Sequence, residues 1–83
     1  MRADDQSLVE AIAAEIRHHL ETHPQAADSA DGVARWWLGP ASVGMTLSQV
    51  EHALNLLVAR HAMRRVELTD GTFLFSQVPA IRQ

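Results

Sequence analysis

Residues 45–75 constrain this chain more than any other stretch, because they read as one capped helix running directly into a tight β-hairpin. Thr46 and Gln49 have the spacing of a capping box, in which the Thr hydroxyl and the Gln side chain satisfy backbone N–H groups that the first helical turn leaves unpaired. Met45 and Val50 flank that box at the positions of a hydrophobic staple. Leu47, Val50, Leu54, Leu57 and Val58 then recur at helical spacing, which predicts a helix over 46–61 with those five residues on its core side. Asp70-Gly71 divides two alternating apolar runs, the strongest short-range hairpin signal. Taken as a two-residue loop, it pairs Thr69 with Thr72, Leu68 with Phe73, Glu67 with Leu74 and Val66 with Phe75. This register places Val66, Leu68, Phe73 and Phe75 on one apolar face, and Arg65, Glu67 and Leu74 on the other.

Two further helices precede this unit. Ser7 and Glu10 form another capping box, opening a helix that stops before Pro24. Leu8, Val9, Ile12, Ala13, Ile16 and Leu20 make its buried stripe. After a linker at His23-Pro24-Gln25, Asp28 or Ser29 caps a second helix that ends at Leu38, where Gly39-Pro40 supplies a left-handed stop and a residue unable to continue. Ala30, Val33, Ala34, Trp37 and Leu38 project to one face, with Trp36 at its edge. Gly32 lies inside this helix, where glycine costs about 1 kcal/mol relative to alanine, so a packing reason is expected to keep the position small. The 39–45 connection reads as an ordered loop.

The expected fold class is α+β, mainly α: a three-helix core with a C-terminal two-stranded β-hairpin. Eighty-three residues, 47% of them apolar, fit a single domain over 1–83. Its ordered core is expected over about 7–78, with 1–6 and 79–83 flexible. The absence of cysteine removes disulfide and thiolate chemistry and fits a reducing cytoplasm. No apolar run reaches the roughly 20 residues that span a bilayer, and the acidic start shows no export signal, so no membrane partner is expected. All seven basic residues are Arg, against ten acids, for a net charge of −3. That balance runs opposite to the usual nucleic-acid binder, which gathers positive charge to neutralise phosphates.

Three helices followed by a hairpin, with Val33-Ala34 in helix two and the helix from Thr46 entering a wing at Asp70-Gly71, resemble the winged helix-turn-helix domains of small bacterial transcription regulators over roughly residues 7–77. The resemblance implies a DNA-binding transcriptional regulator acting on double-stranded DNA. A homodimer is expected because one small reading head with little positive charge binds weakly, and two half-sites multiply the effective affinity. Helix three would enter the major groove and the wing would touch the backbone or minor groove. Carried over by position, Ser48, Gln49, His52 and Asn55 would read bases, with Thr46 on phosphate and Thr69, Asp70 and Thr72 on the wing. Arg35, Arg60, Arg64 and Arg65 would supply the positive rim. Against the family pattern, helix three carries no basic residue before Arg60, the wing tip carries Asp70, and the connection into helix three is long.

The alternative is a winged helix used for protein contact and not for DNA. Adjacent Trp36 and Trp37 cannot both face one core, so Trp36 is a candidate interface anchor. Leu56 and Leu74, on nominally outer faces, join it. The two uses separate on electrostatics: a continuous positive strip through the four arginines favours DNA, and arginines each paired with an acid favour protein. Of the five histidines, only His19 and His23 share a helix face, too few for a zinc site; His18 and His19 suit the helix C-terminus. No metal, cofactor or catalytic residue is expected: the chain has no Cys nucleophile, phosphate loop or nucleophile elbow, and is not read as an enzyme.

Overall fold

A computed structural model of the chain describes residues 3–78, without the side chains of residues 3–5, 41 and 42. Its elements are α1 (Ala3–Thr22), β1 (Ala27–Asp28), α2 (Ala30–Gly32) continuing as a π-helical turn (Val33–Trp37), a 3₁₀ turn (Gly39–Ser42), α3 (Leu47–Ala59), β2 (Met63–Glu67) and β3 (Phe73–Gln77). This is the expected mainly helical α+β class, a three-helix core carrying a β wing. No helix among the described residues is long and apolar enough to cross a membrane.

The core forms where the apolar stripes converge. Val9, Ile12, Ala13, Ile16 and Leu20 of α1 cluster with Val50, Ala53, Leu54 and Leu57 of α3, closed by Ala30, Val33, Leu38, Met63 and Phe75. The α3 stripe is rotated from the expected one. Leu47 is exposed in the first turn and Val58 is half-buried, while Ala53 is fully buried. Leu56, expected on an outer face, packs half-buried against the core.

Capping explains where the helices begin. At α3, Gln49 N–H donates to Thr46 Oγ1 (3.0 Å) and Thr46 N–H donates to Gln49 Oε1 (2.9 Å), the expected box. At α2, Ser29 Oγ accepts from Gly32 N–H. The Ser7–Glu10 box is not used: α1 begins at Ala3, and Ser7 lies inside it. Residues 3–6 are therefore helical, while residues 1–2 and 79–83 lie outside the described residues. Glu10 instead accepts two bonds from the Arg60 guanidinium (2.6 and 3.1 Å), joining α1 to the end of α3. That pairing holds the Glu10 carboxyl below its usual range.

Helix two departs from a regular α-helix in its second half, over Val33–Trp37. Five residues along an α-helix are rotated by about 140°, which would put Val33 and Leu38 at opposite edges of the apolar face. The turn instead closes through Leu38 N–H to Val33 C=O (3.0 Å), five residues back, and both side chains are buried. Trp36 is left 75% exposed. Trp37, expected in the core, is half-buried at the rim and stacks on His19.

The C-terminus of α3 is a Schellman stop: His61 N–H bonds Val58 C=O (3.0 Å), Ala62 N–H bonds Leu57 C=O (2.9 Å), and His61 takes the left-handed conformation (φ 63°) usually given to Gly. The sheet is antiparallel in the order β1-β3-β2. β1 has no counterpart in the sequence expectations, since two residues carry no alternation to detect. The hairpin register is shifted by one from the expected pairing: Glu67 opposes Phe73, Val66 opposes Leu74 and Arg65 opposes Phe75. The loop has three residues, not two. A turn closes through Gly71 N–H to Leu68 C=O (2.9 Å), and Gly71 (φ 88°) forms the bulge before Leu68 N–H meets Thr72 C=O (2.7 Å). A one-residue slip exchanges faces. Met63, Arg65, Phe73 and Phe75 thus share the face toward the helices, and Arg64, Val66 and Leu74 face away.

Candidate functional site

The solvent side of α3 and the inner face of the wing enclose an open groove of about 480 Å³, flanked by the start of α2. Leu47, Glu51 and Asn55 line it from α3, one helical turn apart each. Arg65, Thr72 and Phe73 line it from the wing, and Asp31 from α2.

Asn55 and Arg65 join the two walls. Asn55 Nδ2 donates to the Glu51 carbonyl (3.0 Å), which fixes the amide so that its Oδ1 accepts from Arg65 Nη1 (2.7 Å). The same guanidinium lies 4.9 Å from the Phe73 ring centroid, a cation–π arrangement. At the wing tip, Asp70 Oδ1 accepts from Thr72 N–H (2.9 Å), and this bond keeps the Asp70 carboxyl below its usual range and ionised. Asp31 pairs with Arg35 (3.0 Å) at the other lip.

The residues expected to read DNA divide into two groups. Thr46 and Gln49 are engaged in the α3 cap, and Asn55 in the bridge to Arg65. Ser48 and His52 are exposed and make no side-chain hydrogen bond among the described residues. The arginines are not gathered into one strip. Arg60 pairs with Glu10 and Arg35 with Asp31, Arg65 lies within the groove, and Arg64 faces the opposite side of the sheet. Thr72 lines the groove, whereas Thr69 and Asp70 belong to the loop. Of the interface candidates, Trp36 is well exposed but does not line the groove, Leu56 is half-buried, and Leu74 is half-buried on the outer sheet face opposite Val66. No family model, curated protein or solved structure matches this chain.

Sequence reasoning did not reach Leu47, Glu51, Asp31 or Phe73 as lining residues. Spacing puts Leu47 and Phe73 on buried faces, whereas Leu47 is exposed on α3 and the observed register sets Phe73 on the same sheet face as Arg65. A usable signal was present in Met63. It begins the strand directly after the helix and is buried, and only a register that puts it on the same face as Phe75 gives the core both residues.

The histidines form a separate cluster at the end of α1. His19 is sandwiched between the His23 ring (4.5 Å between centroids) and the Trp37 indole (4.8 Å). Among the described residues, no group of three or more His, Asp or Glu is gathered as a metal would need. Burial depresses the His19 pKa, and the neighbouring His23 and His18 charges depress it further. The folded chain therefore favours the neutral ring. Stability that is complete above the ordinary imidazole value of 6.5 is lost as the pH falls through it, because the unfolded chain takes up the proton first. Thermal melts between pH 6.5 and the carboxylate range should show falling Tm in the parent and a flatter profile in His19→Gln. Equal slopes would remove His19 as the cause.

Proposed function

We propose that this chain is a winged-helix module that docks a protein partner through the groove between α3 and the wing. One observation carries this reading: Arg35 and Arg60 are each committed to an acid and Arg65 to Asn55, while Asp31 and Glu51 line the surface that would meet a phosphate backbone. Phosphate neutralisation supplies most non-specific DNA affinity, and here the groove offers exposed apolar side chains, Leu47 and Phe73, between charges of both signs. An apolar centre with a polar rim is the anatomy of a protein interface. A chain without cysteine suits such a role in a reducing cytoplasm.

A DNA-binding transcriptional regulator is the second reading, favoured by the exposed Ser48 and His52 on α3 beside the wing. A fluorescence titration against mixed duplex DNA at about 50 mM salt separates the two. The protein-contact reading expects no salt-dependent binding. A photo-crosslinking residue at 47 or 73 should capture a protein from the native lysate, and the same residue at 48 or 52 should not. DNA binding that weakens with added salt and is lost in Ser48→Ala/His52→Ala would reverse the order of the two readings.

A further inference from the structure

The hairpin leaves one backbone edge open, and its hydrogen-bond parity says which groups it presents. Leu68 N–H meets Thr72 C=O (2.7 Å) and Val78 N–H meets Ala62 C=O (3.3 Å), so the even-numbered residues 62–68 exchange bonds with the β3 side of the hairpin. Arg65 and Glu67 therefore direct both N–H and C=O away from β3. With the sheet ordered β1-β3-β2, that side is the free edge. No hydrogen bond reaches these four groups among the described residues.

We propose that a second copy of this chain pairs antiparallel with this edge, on a two-fold axis at Val66. Parity allows only registers that oppose outward-directed residues, that is, odd-numbered positions against odd-numbered ones. Centring on Arg65 opposes two arginines, and centring on Glu67 opposes two glutamates, each a like-charge pair that destabilises a sheet. Centring on Val66 opposes Arg65 to Glu67 of the second copy, twice by symmetry, with four backbone hydrogen bonds formed. Glu67 has no ion-pair partner among the described residues, whereas Arg65 spends one Nη1 bond on Asn55 and carries further donors.

The outer face supports the same axis. Val66 is 49% and Leu68 39% exposed, and Leu74 opposes Val66. Pairing sets Val66 against its symmetry mate in a close, non-hydrogen-bonded pair and makes one apolar stripe from Leu74 to Leu74 across the dimer. Leu68 falls opposite Arg64 of the second copy, whose aliphatic stem can cover it. Charged residues on an edge strand ordinarily discourage pairing; here one register turns them into complementary pairs. The product is a six-stranded sheet with both α3–wing grooves on one side. This dimer does not depend on whether those grooves hold protein or DNA.

Sedimentation velocity of the full chain from micromolar to millimolar concentration should show a concentration-dependent dimer. Hydrogen exchange should show the Arg65 and Glu67 amides protected as it forms. Glu67→Arg and Arg65→Glu should each be monomeric, and an equimolar mixture should recover the dimer, because one chain then presents two acids and the other two arginines. Glu67→Pro, which removes an outward N–H and leaves the internal ladder intact, should be folded by circular dichroism and monomeric. A parent chain monomeric throughout, a dimer that survives Glu67→Arg, or a mixture that stays monomeric each overturns the proposal. If a variant does not fold, amide protection in the parent decides.

Discussion

Phe75→Ala will cost about 3–5 kcal/mol of folding stability and detach the wing from the helices. Phe75 is 4% exposed at the centre of β3, with Asp28 opposite it on one side and Arg65 on the other, and its ring enters the core cluster. Truncation leaves a cavity in the core beneath a row where all three strands pair. A domain of this size is stable by only about 5–15 kcal/mol in total, so the loss is a large share of it. Tm should fall by at least about 10 °C. Phe75→Leu, which keeps most of the volume, should cost less than about 1.5 kcal/mol. Amide exchange gives the sharper readout: β2 and β3 should lose protection before α1 and α3. A uniform loss across all elements would show that Phe75 supports the whole core and not the wing's attachment.

Gly32→Ala will destabilise the protein although it raises helix propensity. On propensity alone the change gains about 1 kcal/mol. A Cβ at position 32, however, falls inside the van der Waals envelope of the Asp28 carboxylate, both its Oδ1 and its Cγ. Asp28 cannot withdraw freely, because Oδ1 accepts from Ser29 N–H (2.8 Å) and Asp28 is half of β1. Moving it breaks that bond and loosens the strand that covers the far edge of β3, for a net loss of roughly 1–3 kcal/mol. In an Asp28→Ala background the same glycine change should be neutral or stabilising. Urea melts of the four proteins measure this coupling, and additive effects would mean that the carboxylate is not what keeps position 32 small.

These two positions show how legibility varied along the chain. The α3 cap was readable because Thr46 and Gln49 act on each other, three residues apart, without help from distant structure. The small residue at position 32 was readable as a demand for space, but not its source, since Asp28 reaches it only after β1 has turned the chain. Spacing alone does not weigh Leu47, exposed in the first turn of α3, against Ala53, fully buried at its middle. Asp70-Gly71 marks the place of the hairpin but not its register, because Asp-Gly serves a two-residue loop and the end of a three-residue loop equally well. The one-residue difference in register exchanges the faces of Arg65 and Val66. Pairings between charges, such as Glu10 with Arg60 fifty residues later, are tertiary facts that no local pattern announces.

The left-handed stop at His61 has a mechanical consequence. Only residues 60–62 separate α3 from β2; two of them are held by bonds back onto Leu57 and Val58, and the next residue, Met63, is buried. The wing's base therefore has no slack, and the Asn55–Arg65 bond ties it to α3 a second time higher up. The direction in which the wing leaves the helix is thus set twice, by the backbone bonds that end α3 and by one side-chain bond a turn higher.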